Sequence, residues 1–192
     1  GGDINFEKVS EKIDSLSLKS ALKQGLSSQK GQSFQSTKGQ NINIFKNNSK
    51  DITIALGFRT VSQGHDFKEV LELISAFLGG GMSSKLRQKI MEPGYTYSIE
   101  ATTENISDTG YLVVHFTTSK NLLKKVLDII YLTILSLTKK PLNGSELDLA
   151  KGFYIGQLKI NIETPLDWAF YYSDQAIYNP GKITTLEEKV DK

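Results

Sequence analysis

Between Leu78 and Ser98 the chain sets a helix end, a second helix and a strand start in one short run. Phe67, Val70, Leu71, Ile74, Phe77 and Leu78 repeat at helical spacing and lead straight into Gly79-Gly80-Gly81. Such a stripe faces a core, and glycine stops a helix because it turns left-handed at little steric cost. Ser83 or Ser84 can cap a short helix reaching about Glu92, and Pro93-Gly94 breaks it. Tyr95, Tyr97, Ile99 and Ala101 then alternate with other residues, the period of a strand with one buried face. A chain that switches so abruptly from helical period to strand period is α+β.

The rest of the sequence extends this pattern. Asp51 to Val61 reads as a strand with Ile52, Ile54, Leu56 and Phe58 on one face, and Asp66 can cap the helix that follows. Tyr95 to Glu104 and Gly110 to Ser119 form an antiparallel pair joined by the polar turn at 105–109. The second of these strands alternates Leu112, Val114 and Phe116. A long helix runs from about Leu122 to Thr138, and another from Ser145-Glu146 to about Glu163. Thr164-Pro165 opens a third, carrying Leu166, Trp168, Ala169 and Tyr172. The order β-α-α-β-β followed by helices predicts a two-layer α+β domain, with helices on one face of a mostly antiparallel sheet.

The first forty residues differ. Phe6, Val9, Ile13 and Leu16 make an apolar helical stripe, with Asp3 or Asn5 as its N-cap. From Leu18 to Gln40 the chain is rich in Ser, Gln, Lys and Gly and reads as a polar linker. It opens on Gly1-Gly2-Asp3 without a methionine or a targeting segment, as expected of an excised or processed fragment. Lys and Arg total 23 against 21 acidic residues, so no basic field favours nucleic acid. There is no cysteine for disulfides or thiolate metal sites, and no apolar run long enough for a membrane span.

Chemistry-bearing motifs are few. The glycine run follows a helix, whereas a phosphate-binding loop follows a strand and ends in Gly-Lys-Ser/Thr. Ser83-Ser84-Lys85 lacks a paired base and reads as helix capping. The two histidines, His65 and His115, are too far apart in sequence to form a local metal motif. His115 reads as a sheet residue and His65 as a loop or helix-opening residue. Trp168, Phe170, Tyr171 and Tyr172 read as core packing with an amphipathic edge.

The run Leu78-Gly79-Gly80-Gly81-Met82-Ser83-Ser84-Lys85-Leu86, then Gly94-Tyr95-Thr96-Tyr97-Ser98, resembles the pitrilysin/insulinase-type zinc metallopeptidases, including mitochondrial processing peptidase. That family's pattern is L-G-x-G-x-S-S-x-L, a short helix, then G-L-x-Y-S. Asn143-Gly144-Ser145-Glu146-Leu147 with Ala150-Lys151 is similar to its T-x-x-E-L-x-x-A-K segment. The family's zinc motif, H-x-x-E-H, is absent from the chain. The resemblance therefore implies the inactive second half of a subunit, with zinc in a catalytic half outside this chain and no catalytic or metal-binding residue within it. Residues 1–20 would end the preceding half, 21–40 link the halves, and 41–192 form the second half, truncated at its C-terminal end. An orphan first helix would then dock where a closing C-terminal helix lies, within one chain or exchanged between two.

In the resembled family an Arg and a Tyr from the second half face the zinc across a closed chamber and hold the substrate backbone. Matched from Ser83-Ser84, the Tyr falls at Tyr97 and the Arg at Met91, which can donate no hydrogen bond. Arg87, one helical turn earlier, is the candidate replacement, and Tyr97 and the neighbouring Tyr95 are the other substrate-binding candidates. Simple sheet packing is the competing reading of Tyr97. The resemblance implies a wall of a peptide-binding chamber and a zinc-bearing partner half. Two alternatives are a structural subunit of the same fold without peptidase function and a generic α+β interaction domain.

Overall fold

The computed structural model describes residues 5–15, 42–45, 48–178 and 181–190. The predicted linker, the opening Gly2-Asp3-Ile4, Leu16 and the side chain of Ile13 lie outside those residues. Three strands, β1 (Asp51–Thr60), β2 (Ser98–Asn105) and β3 (Gly110–Ser119), form an antiparallel sheet in the order β1-β3-β2. Register places Ile54, Phe116 and Ile99 in one row and Leu56, Val114 and Ala101 in the next. These side chains meet one core cluster, as alternation along half-buried strands requires.

Helices cover that face. α2 (Lys68–Gly79), a π-helical turn at Arg87–Met91 and α3 (Leu123–Lys139) bring Leu78, Leu86, Ile90, Val126 and Ile130 onto Val114 and Phe116. All seven are essentially inaccessible to solvent. Each such side chain stabilises the fold by about 1.5–3 kcal/mol through burial. α4 (Gly144–Asn161) packs outside α2 and buries Ala150. α5 (Pro165–Tyr178) and the short α6 (Leu186–Val190) complete the helical layer. The fold is the two-layer α+β architecture expected.

The glycine run has two separate functions. A Cβ on Gly79 would lie 2.1 Å from the Ala101 amide nitrogen, so its absence lets the end of α2 touch β2. Gly81 turns the chain with φ +73°, in the left-handed region.

Several local expectations change. α2 has no side-chain cap from Asp66; the Phe67 N–H donates instead to His65 Nδ1 at 3.1 Å. Neither Ser83 nor Ser84 supplies the expected side-chain cap: Ser84 Oγ donates back to the Gly81 carbonyl at 3.0 Å. β2 starts at Ser98 rather than Tyr95, because Tyr95 and Thr96 belong to the turn after the π-helical segment. The first helix, α1 (Phe6–Ser15), is capped by Asn5, whose Oδ1 accepts from the Lys8 N–H at 3.0 Å. Of its stripe, the described side chains Phe6 and Val9 are 82% and 42% exposed. α6 escapes the hydrophobic-period reading altogether.

Candidate functional site

Tyr97 sits where the π-helical turn hands over to β2, and its surroundings follow from the turn. Gly94, with φ +76°, reverses the chain, and its N–H donates to the Met91 carbonyl at 2.9 Å. The Tyr95 N–H donates to the Ile90 carbonyl at 2.9 Å, and the Tyr97 N–H to the Thr117 carbonyl at 2.9 Å. Between these anchors the Thr118 hydroxyl donates to the Tyr95 carbonyl at 2.6 Å. Lys125 Nζ stands 3.6 Å from the centre of the Tyr95 ring.

This handover breaks the alternation that placed Tyr95, Tyr97 and Ile99 on one face. Thr96 and Ile99 are both buried while Tyr97 is 65% exposed. Residues three apart cannot share a face in a regular strand, so the backbone is irregular between them and the Tyr97 phenol is left outside the core. The Thr96 hydroxyl is buried without a hydrogen-bond partner among the described residues.

Tyr95 is half-buried against the core, and Arg87 is half-buried at the start of the π-helical turn. There the expected geometry changes. The Glu92 N–H donates to the Arg87 carbonyl at 3.0 Å, an i to i+5 bond. The wider turn stacks Arg87 over Glu92 rather than over Met91. Met91 itself packs against the core cluster, so the position expected from sequence to match the resembled family's Arg carries a thioether in apolar surroundings. Of the three candidates, Tyr95 and Tyr97 share one short segment, and Arg87 lies on the preceding turn.

The sheet face away from the helices carries Thr53, Ala55 and Gly57 on β1, Val113, His115 and Thr117 on β3, and Ser98, Glu100 and Thr102 on β2. All are exposed or half-buried. His115 Nε2 lies 3.8 Å from Glu100 Oε2, and the Thr53 and Thr117 hydroxyls are 3.0 Å apart. At the β2–β3 end Tyr111 donates to Glu104, a hydrogen bond that pushes the phenol pKa up. This face therefore carries mainly hydroxyl, imidazole and carboxylate side chains among small apolar ones.

Two clefts lie among the helices. One, of about 320 Å³, separates the glycine turn from the start of α4 and is bordered by Met82, Lys85, Leu149 and Phe153. On its rim Lys85 Nζ meets Glu146 Oε1 at 2.5 Å and, by that hydrogen bond, holds the carboxyl below the usual glutamate range. The other, of about 300 Å³, lies among α2, α5 and α6. Beside it the Tyr154 hydroxyl donates to Glu72; burial, then the Glu72 charge, pushes the phenol up. Lys189 Nζ reaches Glu72 at 3.8 Å, so these charges tie α6 to α2. Trp168 stacks on Tyr172 at 5.8 Å within α5. Among the described residues no three His, Asp or Glu side chains converge as metal ligands.

The family model of the peptidase M16 inactive domain matches residues 1–153. The chain belongs to the pitrilysin-type peptidase M16 family, as its inactive domain. It is similar to the uncharacterized zinc protease YmxG of Bacillus subtilis, with 28% identity over 62% of this chain and 29% of that protein. An uncharacterized zinc protease of Mycobacterium leprae is 26% identical over 80% of this chain and 35% of that protein. The chain thus spans about a third of the length of these relatives. The fold is also that of a peptidase M16 inactive domain from Pseudomonas fluorescens, with TM-score 0.61 and 17% identity over 74% of this chain and 37% of that one.

Proposed function

We propose that this M16 inactive domain forms one wall of a peptide chamber and packs against a zinc-bearing half outside the chain. The observation that carries the reading is the one-sided sheet. Helices cover one face, while the other presents hydroxyl, imidazole and carboxylate groups, with the exposed Tyr97 at the start of an edge strand. A largely polar face of that kind suits an extended peptide, whose backbone carries donors and acceptors at regular intervals. The relatives' names as zinc proteases support this reading, in which the metal is held by the other half.

In such a chamber the Tyr97 hydroxyl donates to a substrate carbonyl. A donor aimed at developing negative charge in a dry site contributes about 3–4 kcal/mol. Tyr95 fixes the segment, and Arg87 supplies charge from the turn before it. The test is a peptide-cleavage assay with the zinc-bearing half present. Tyr97→Phe should lower kcat by roughly 10²- to 10³-fold with little change in KM, the sign of a transition-state contact. Unchanged turnover would remove Tyr97 from the site.

Met91 favours a second reading, a structural subunit that has lost peptidase function. That reading expects a stable complex with the partner half and no cleavage, with Met91→Arg restoring none.

A further inference from the structure

We infer that Thr118, assisted by Lys125, is a positioning residue that determines where the Tyr97 phenol stands; its relevance to cleavage rests on the role proposed above for Tyr97. The phenol is 65% exposed, so the core does not hold its ring in place. Its place is set by the backbone of residues 94–98. Two anchors of that segment, Tyr95 N–H to Ile90 and Tyr97 N–H to Thr117, are backbone bonds that almost any sequence could form. The anchor that depends on side-chain identity is the Thr118 hydroxyl on the Tyr95 carbonyl, at 2.6 Å.

The setting of Thr118 makes that hydroxyl informative. It is fully inaccessible and continues the buried row of Leu112, Val114 and Phe116 along β3. Valine would fill the same volume in that row without carrying a polar atom into it. The polar atom is compensated by its hydrogen bond to the Tyr95 carbonyl, in the segment leading to Tyr97. Lys125, from α3, holds the ring of the same Tyr95 at 3.6 Å. One residue on β3 and one on α3 therefore grip a single residue two positions before Tyr97. The buried Thr96 hydroxyl, unpartnered among the described residues, is costly, and such a conformation persists only where the surroundings over-determine it.

The test uses amide hydrogen exchange on this chain, read residue by residue. In Thr118→Val the Tyr97 amide should exchange about five-fold faster, the effect of losing one neutral hydrogen bond. Amides in the Ala101–Val114 part of the ladder should be unchanged, and Thr118→Ser should restore the Tyr97 rate. Lys125→Met, at an exposed position that tolerates change, should give the same local pattern at about three-fold. Acceleration spread over the whole sheet, or none at Tyr97 in either variant, overturns the inference. With the zinc-bearing half present, Thr118→Val should lower kcat about five-fold, leave KM within about two-fold, and add nothing to Tyr97→Phe. Independent, multiplying effects in the double variant would also overturn it. If Tyr97→Phe alone cleaves normally, the role proposed for Tyr97 fails, and the exchange rates still decide whether Thr118 positions it.

Discussion

Replacing Gly79 by alanine adds one methyl group, and the structure says where it goes. The new Cβ would lie 2.1 Å from the Ala101 nitrogen, 2.7 Å from the Ala101 Cβ and 2.8 Å from the Glu100 carbonyl carbon. Comfortable contact needs about 3.5–4 Å, so α2 must retreat from β2 by roughly 1.5 Å. β2 has little room to yield, because Ala101 is paired with Val114 on the central strand. A retreating α2 carries Leu78 and Phe77 with it and loosens contacts in the best-buried part of the core. Overpacking of this kind costs about 1–3 kcal/mol, and a clash with paired backbone belongs at the upper end. For a domain of this size each kcal/mol moves Tm by about 2–4 °C, so Gly79→Ala should lower Tm by roughly 6–12 °C. Gly156→Ala is the internal control. Gly156 lies inside α4 with nothing within 4 Å of an added Cβ, and alanine there should raise stability by about 0.5–1 kcal/mol. Thermal unfolding of the two variants by circular dichroism therefore predicts shifts of opposite sign. A Gly79→Ala protein melting within about 2 °C of wild type would refute the close-approach argument.

Three further outcomes are expected. Asn143→Ala removes the capping box at the start of α4, in which Asn143 Oδ1 accepts from the Glu146 N–H at 2.9 Å. Stability should fall by about 0.5–2 kcal/mol, seen as a lower urea midpoint at constant slope, while Asn143→Asp should stay near wild type. Lys85 holds the Glu146 carboxyl below the usual range, so this pair's contribution is complete above the ordinary glutamate pKa. It is lost as pH falls through the lowered native value; urea midpoints measured down that range should drop less for Glu146→Gln than for wild type. Zinc should not copurify stoichiometrically with this chain once any affinity tag is removed, because it lacks the paired His and Glu of a zinc motif. Elemental analysis finding about one tightly held zinc per chain would contradict that.

What could be read from residue order depended on how strongly burial constrained each element. β3 runs from Gly110 to Ser119 as anticipated, because Leu112, Val114 and Phe116 alternate against a single core and a slipped register would expose them all. α4 was also legible, expected from Ser145-Glu146 and found from Gly144 to Asn161, although its capping box of Asn143 and Glu146 is a signal the sequence reading did not use. α6 has only five residues and buries Leu186, so it has no stripe to detect. Its signal was local: Thr185 and Glu188 cap it reciprocally, with the Thr185 N–H donating to Glu188 Oε2 at 2.9 Å. The start of β2 misled for a different reason. Tyr95, Tyr97 and Ile99 alternate like a strand, yet Tyr95 is drawn into the preceding turn by Ile90 and Thr118, neither of which alternation can reveal.

That misreading lies at the candidate site, and the coincidence has a physical basis. A regular strand would have laid Tyr97 beside Ile99, facing the helices, and left no phenol in solvent. The π-helical turn changes this by shifting the chain one residue relative to an α-helix, through the Arg87–Glu92 bond. Thr118 and Lys125 then hold the displaced Tyr95, and Gly79 brings α2 close enough to brace β2 from the other end. The helical layer thus does more than bury the sheet. It sets the conformation of the residues leading into an edge strand, while the opposite face of the sheet stays exposed or half-buried. On the function proposed above, that exposed face is the surface this inactive M16 domain would lend to a peptide chamber.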